Sequence, residues 1–468
     1  MKYLNNKVSD IKIAYIGGGS RGWAWTFMSD LALEPQMSGT IALYDLNFES
    51  AKQNEIIGNS VSAKEEAVGK WDYVATPTLE EALTGADFVV ISILPGTFDE
   101  MHSDVHLPER LGIYQSVGDT AGPGGIIRSL RTIPAFVEFA NAIKKYSPDA
   151  WVINYTNPMS ICMKTLYHAF PEIKAFGCCH EVFGTQEVLK AVAERELGVE
   201  NADRRDVLVN VLGINHFTWF DKASYKGVDL LPVYKDFVSK NYDEGISTEE
   251  EHWANSSFAS LNRVKFDLFQ KHGYIAAAGD RHLAEFVSSN EYLKSPEQVS
   301  AWNFGLTTVD WRKNDLAERS EKSRRLVAGE ETFEINHSGE EGILLIKALC
   351  GLEQVISNVN IPNTGQQIPN LPADAIVETN AVFQHDTIKP IVAGELPNNL
   401  LEMILPHVQN HELILEAALT HNKELVLEAF RNDPLIAGKA TDEEIIQLVD
   451  DMIKNTLTAL PEQWQEAV

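Results

Sequence analysis

Gly17, Gly19 and Gly22 form a G-x-G-x-x-G loop between an apolar run, Ile11 to Ile16, and a helix-like stretch beginning near Trp23. Gly17 permits the tight turn, Gly19 lets backbone approach a pyrophosphate, and Gly22 allows close helix packing. The helix start that follows favours anionic phosphates. The next strand-like run, Thr40 to Tyr44, ends at Asp45. A carboxylate there can bind ribose hydroxyls, which favours NAD over NADP. Asn157, before Pro158, ends another apolar run, and strand ends are where ligands bind in this fold class. Its amide can bridge cofactor and substrate. Cys179 and His216 lie in different loops and are unremarkable by spacing alone. As a pair they would leave positions open on a divalent ion, which suits catalysis better than a closed structural site. Tyr274 and Asp280 lie in one loop-like stretch, with Arg281 and His282 directly after Asp280.

These residues need elements to position them. Apolar runs at Ile11 to Ile16, Thr40 to Tyr44, Tyr73 to Ala75, Phe88 to Ile93, Trp151 to Pro158 and Lys174 to Gly184 alternate with helical patterns. That alternation predicts an α/β fold with a parallel sheet of βαβ units. Near residue 200 the character changes. The stretch VLVNVLGINHFTWFDKASYKG predicts antiparallel strands, and long helical patterns follow beyond about residue 245. Asn398 to Arg431 has helical spacing interrupted by Pro406, and Arg312 to Glu334 is charged enough to be a solvated helical face or connector. The expected organisation is a dinucleotide-binding, Rossmann-like half over residues 1–200 and a mixed α/β substrate and metal half over residues 201–468.

Composition narrows the function. With 468 residues the chain is too long for one compact core. Its net charge of −28 excludes nucleic acid and anionic lipid surfaces as natural partners. Four cysteines are too few for a disulfide scaffold of this size. Neither a signal-peptide core nor a spanning apolar run is present, so a cytoplasmic protein is expected.

The motifs GGGSRGW, AGPGG, NYTNP, CHEV, GINHF and NTGQQIPNLP occur in this order from residue 17 to residue 372. Together they resemble glycoside hydrolase family 4, and CHEV is similar to its α-galacturonidase subgroup. The resemblance implies a lactate- and malate-dehydrogenase-like fold with an enlarged second half. It implies NAD and a divalent metal, usually Mn²⁺, with Cys179 and His216 as metal ligands and Cys178 as a bystander. The implied reaction oxidises C3 of the sugar, removes the C2 proton, expels the C1 leaving group and adds water back. Family 4 is an exception to two-carboxylate glycosidase chemistry. Family members use an aspartate or a tyrosine as the base. Asp280 is favoured and Tyr274 is the alternative, while a helix cap before Arg281 explains Asp280 equally simply. His180 suits the acid because its ordinary pKa is near neutrality. Aspartate occupies that place in α-glucosidase members. A uronic acid substrate needs a cation for its carboxylate, and Arg281 and Arg128 offer two-point pairing. An α-galactosidase or α-glucosidase of the same mechanism is the near alternative, and a 2-hydroxyacid dehydrogenase the remote one. By analogy a homodimer or homotetramer is expected.

Overall fold

The computed structural model describes residues 1–248 and 258–466. The first part of the helical patterning expected beyond residue 245 therefore falls partly outside the described residues. Strands Lys7–Ile16, Met37–Tyr44, Lys70–Thr76, Phe88–Ile91, Trp151–Asn154 and Lys174–Gly177 are parallel and lie side by side. Their spatial order is that of a Rossmann sheet, reversing direction of build between Lys7–Ile16 and Phe88–Ile91. Parallel strands covered on both faces read as continuous apolar runs, as FVVI of Phe88–Ile91 does. Successive side chains of Lys7–Ile16 feed opposite cores. Ile13 and Tyr15 join Trp25, Met28 and Leu31 on one face, and Ala14 and Ile16 join Phe136, Ala140 and Ile143 on the other.

The sheet does not stop at residue 200. Val355–Pro362 adds antiparallel to Lys174–Gly177, with Asn360 opposite Gly177, and Ile376–Gln384 and Thr387–Pro390 follow outward. A second, smaller sheet pairs Val207–Ile214 with Phe217–Tyr225, and Ile275–Ala276 lies on the other side of Phe217–Tyr225. The hairpin turn Asn215–His216 places His216 at a φ of 63°.

One helical expectation changes and another holds. The helix Asn398–Thr420 runs through Pro406 without a break and ends at His421, in the left-handed region. A proline inside a helix removes one hydrogen bond, and packing of Leu400, Ile404, Val408 and Leu415 in the core holds the two sides together. The charged stretch expected to be a solvated face or connector is the helix Val309–Ala328, mostly solvated and laid along the first half of the chain. Val309 packs on Met101 and Val105 at one end, and Ser323 Oγ bonds Gln53 Oε1 at the other. Only Val309, Ser323 and Leu326 are buried along it, so no apolar period marks its inner face. Among the described residues no helix is long and apolar enough to cross a membrane.

Candidate active site

The glycine loop follows Lys7–Ile16 directly, and helix Trp23–Leu33 opens behind it. Gly17 has φ +94°, and a Cβ there would stand 1.9 Å from Ser92 O, so only glycine fits the turn. Gly19 also lies close to its surroundings, since a Cβ would fall 2.8 Å from Asp45 Oδ2. Asp45 accepts from Gly19 N at 2.9 Å and from Asn47 N at 2.8 Å, so it braces the loop that it was expected to serve. Buried Asn54 adds a second brace, donating to Gly18 O and Ser20 O at 2.8 and 2.9 Å. At Gly22 the nearest atom to a Cβ would be Arg319 Nη1 of helix Val309–Ala328, at 2.7 Å, so the close approach there is to a side chain and not to backbone.

Asn157 lies just beyond Trp151–Asn154, before a cis bond to Pro158. Its carbonyl accepts from Arg128 Nε at 3.0 Å, while its buried Oδ1 has no partner. A buried, unpaired amide oxygen in a ligand-binding crevice fits a group that arrives with the ligand.

Asp119, His216 and His282 bring ligand atoms within 4.8 Å of one another, a cluster able to hold a metal ion. The imidazoles lie 3.8 Å apart, centroid to centroid. His216 Nδ1 meets Thr120 Oγ1 at 3.1 Å, which leaves its Nε2 for a ligand. His282 Nε2 faces Glu181 Oε1 at 3.4 Å, and its buried Nδ1 has no partner. Burial and the neighbouring His282 push His216 down to about 3, so its ring is the neutral, ligating form. Burial would raise Asp119, but Arg128, His282, Arg312 and His216 outweigh it and hold the carboxyl at about 2. The site thus offers an ionised carboxylate and two imidazole rings, a donor set that suits a divalent ion with open positions.

Cys179 lies outside this cluster. It is buried, as is Cys178, and its carbonyl accepts from Asn358 Nδ2 at 3.1 Å. Burial, with Glu378 and Glu181 nearby, pushes its thiol well up. His180 is half-exposed at the start of helix Glu181–Leu197, with Nδ1 3.1 Å from Glu340. Burial lowers its pKa, but the Glu340 hydrogen bond and the Glu181 charge prevail and raise it to about 9. It therefore carries a proton at neutral pH, the form an acid needs. Glu181 itself binds Gly279 N at 2.6 Å and stays ionised, because His282, His180 and His216 outweigh the cost of its burial.

The two base candidates have different settings. Asp280 is 1% exposed, and its oxygens accept from Val264 N at 3.3 Å and Lys265 N at 3.1 Å. It therefore caps helix Arg263–His272, an element earlier in the chain than the cap position before Arg281 suggested by sequence. Tyr274 precedes strand Ile275–Ala276 and packs, partly buried, against the large core to which both halves contribute. Arg281 does reach the pocket. Its Nη1 donates to Thr307 Oγ1 at 2.7 Å, and its charge acts on both Glu181 and Asp119. Arg128 is 4% exposed and acts on Asp119 as well.

Sequence reasoning did not single out Asp119, His282, Glu181, Glu285 or Arg312 for the site. Asp119 stands two residues before AGPGG, and His282 two after Asp280, so each lay at the margin of a stretch already quoted. Glu285, fully buried, accepts from Val117 N and Gly118 N at 2.7 and 2.9 Å and so fixes the loop that carries Asp119. Burial raises it to about 7.

The family 4 glycosyl hydrolase model matches residues 12–195, and the model of the family 4 glycosyl hydrolase C-terminal domain matches residues 211–436. An alpha-galacturonidase of Lachnoclostridium phytofermentans is 67% identical over 99% of this chain and 100% of its own. A crystal structure from Bacillus subtilis, of a protein given a glucosidase name, superposes with a TM-score of 0.90. It is 51% identical and covers 95% of this chain and 100% of its own. A 6-phospho-alpha-glucosidase from gut microorganisms, solved in complex with NAD and Mn²⁺, has a TM-score of 0.79 at 20% identity. It covers 97% of this chain and 99% of its own, and it shows a shared fold.

Proposed function

The chain belongs to family 4 of the glycosyl hydrolases, and from that premise we propose that it cleaves α-galacturonides, using NAD and a divalent metal such as Mn²⁺. One observation carries the reading. The Asp119, His216 and His282 cluster lies within the electrostatic reach of Arg128 and Arg281, which supports a metal and a uronate bound side by side. The alpha-galacturonidase name of the relative at 67% identity supports the same substrate class.

Gly17, Gly19, Gly22, Asp45 and Asn157 are the residues to hold NAD, and the glycine turn and the unpaired Asn157 Oδ1 fit it. Asp119, His216 and His282 are the residues to hold the metal, with Cys179 a fourth by family resemblance. When bound, NAD supplies a hydride acceptor for the sugar and the metal a Lewis acid for its oxygens. His180, protonated at neutral pH, donates to the leaving oxygen. Asp280 is the base of first choice for the C2 proton, being next to Arg281 and two residues from His282, with Tyr274 second. Arg281 and Arg128 bind the substrate carboxylate. A homodimer or homotetramer remains the expected assembly. A plain 2-hydroxyacid dehydrogenase has no support, because the family match covers both halves of the chain.

The test is a panel of nitrophenyl α-galacturonide, α-galactoside, α-glucoside and 6-phosphorylated sugars, assayed with Mn²⁺, NAD⁺ and reductant. The galacturonide should be cleaved fastest, with deuterium at C2 of the product in heavy water. Preference for a neutral or phosphorylated sugar would refute the substrate, and product without C2 deuterium would refute the route.

A further inference from the structure

Helix Val309–Ala328 brings another guanidinium to the pocket. Arg312 Nη2 donates to Val117 O at 3.4 Å, two residues before Asp119, and its buried Nε has no partner. Arg281 is tied to the same place. Its Nη1 holds Thr307 Oγ1 at 2.7 Å, Thr307 N donates to Ser116 O at 2.9 Å, and Ser116 Oγ donates to Arg281 O at 2.5 Å. Arg281 also lies 4.7 Å over the Phe258 ring, which meets Trp311 edge-on at 5.0 Å. Thr307, Trp311 and Arg312 thus frame Arg281 from one short segment.

Carboxylates act on these cations from a distance, but none is paired with them directly. Arg281 and Arg312 repel each other, and among the described residues neither has a carboxylate oxygen within 4.0 Å. The nearby acids are engaged elsewhere: Glu181 with Gly279 N and His282, Glu285 with Val117 N and Gly118 N, and Asp119 in the metal cluster. Arg128, the other cation proposed for the carboxylate, already donates its Nε to Asn157 O and acts on Asp119. The chain has 67 acidic residues against 39 basic ones, so carboxylates to neutralise this pair are abundant. Two guanidinium groups without a paired carboxylate among the described residues, near the Asp119, His216 and His282 cluster, mark a place for an anion supplied by a ligand.

We propose that Arg312, paired with Arg281, grips the sugar carboxylate and so determines specificity for uronides over neutral sugars; this rests on the α-galacturonide reading above. The pair is separate from the phosphate loop, where the same helix presents Arg319, not Arg312.

The test compares wild type, Arg312→Gln and Arg312→Lys on nitrophenyl α-galacturonide and nitrophenyl α-galactoside. Thermal midpoints and NAD⁺ affinity by calorimetry are measured alongside. For Arg312→Gln the uronide-to-galactoside ratio of kcat/KM should fall by about ten- to a hundred-fold, mostly through KM, as expected for a lost charge-assisted hydrogen bond. Arg312→Lys should recover part of it, since lysine keeps the charge but not the fork. An unchanged ratio in a folded Arg312→Gln, from a wild type that prefers the uronide, overturns the grip and leaves the substrate reading standing. A matching loss of NAD⁺ affinity without sugar also overturns it, assigning Arg312 to a cofactor phosphate. A wild type that prefers the galactoside removes the substrate reading itself, and the grip with it.

Discussion

Asp280→Asn separates two duties of one carboxylate. In the folded chain the Asp280 oxygens accept from the amides of Val264 and Lys265 at the start of helix Arg263–His272. An asparagine keeps one acceptor and turns an NH₂ toward the other amide, leaving a buried donor unsatisfied at a cost of about 1–3 kcal/mol. The second loss is electrostatic. Lys265 is 1% exposed and donates to Thr185 Oγ1 at 2.9 Å, and the charge of Asp280 supports its ammonium. Burial still pulls Lys265 down to about 8, against the opposing pull of Asp280 and Glu181. Without Asp280 the lysine releases its proton at neutral pH, which limits this share to about 1–2 kcal/mol, below the 3–5 kcal/mol of a broken pair that cannot neutralise. The sum is about 2–4 kcal/mol at pH 7. A lysine whose pKa falls on folding leaves the unfolded chain holding more protons between the folded value and 10.5, so stability rises with pH across that window. In wild type the window opens at about 8, and in Asp280→Asn it opens lower. The stability gap between the two proteins should therefore narrow by about 1 kcal/mol from pH 7 to pH 9. Circular dichroism melts at both pH values measure the gap, and single-turnover assays well below the midpoint measure chemistry in folded protein. If Asp280 is also the base, kcat should drop by at least about a hundred-fold. Full kcat with a lowered midpoint would reduce Asp280 to a cap and hand the base role to Tyr274. An unlowered midpoint would refute the structural reasoning.

Other expectations follow from the same pocket. Asp119→Asn, His216→Ala and His282→Ala should each weaken Mn²⁺ binding in a calorimetric titration at least about tenfold. Cys179→Ser should do the same if the thiol joins the cluster, whereas Cys178→Ser, in the apolar core beside the sheet, should leave it intact; the reverse pattern between the two cysteines would exchange their roles. Gly17→Ala should abolish measurable NAD⁺ binding, because its Cβ would stand 1.9 Å from a backbone oxygen that helps to shape the crevice. Retention of wild-type affinity would show that the loop deforms without harm.

The first half of the fold was legible because local signals agree there. Apolar runs, glycines and the acid at Asp45 repeat the βαβ pattern, and each strand appears within or around its run, three of them extended at their ends and three ending earlier. The outer antiparallel strands Val355–Pro362 to Thr387–Pro390 were not legible as partners of that sheet, since nothing local says which edge a strand joins. For the candidate site, strong motifs pointed to Gly17, Asp45 and His216, while residues brought in from distant parts of the chain carried no local signal. Asp119 and His282 are 163 positions apart and meet only after folding. Arg312 was hidden by a helix whose contacts are mostly polar, so hydrophobic periodicity has nothing to detect. Asp280 shows the converse: a helix cap was foreseen, but the helix capped begins seventeen residues earlier, at Arg263.

The junction of Lys174–Gly177 with Val355–Pro362 also sets an order of events during synthesis. The parallel strands leave the ribosome first, and they can pair as soon as they emerge. Their outer edge must then wait for a partner encoded some 180 residues downstream, roughly 10–40 s at 5–20 residues per second. Throughout that interval an unpaired strand edge is open to other nascent chains. Slowing translation between residues 200 and 355 should therefore lower the soluble yield without altering a single contact in the finished enzyme.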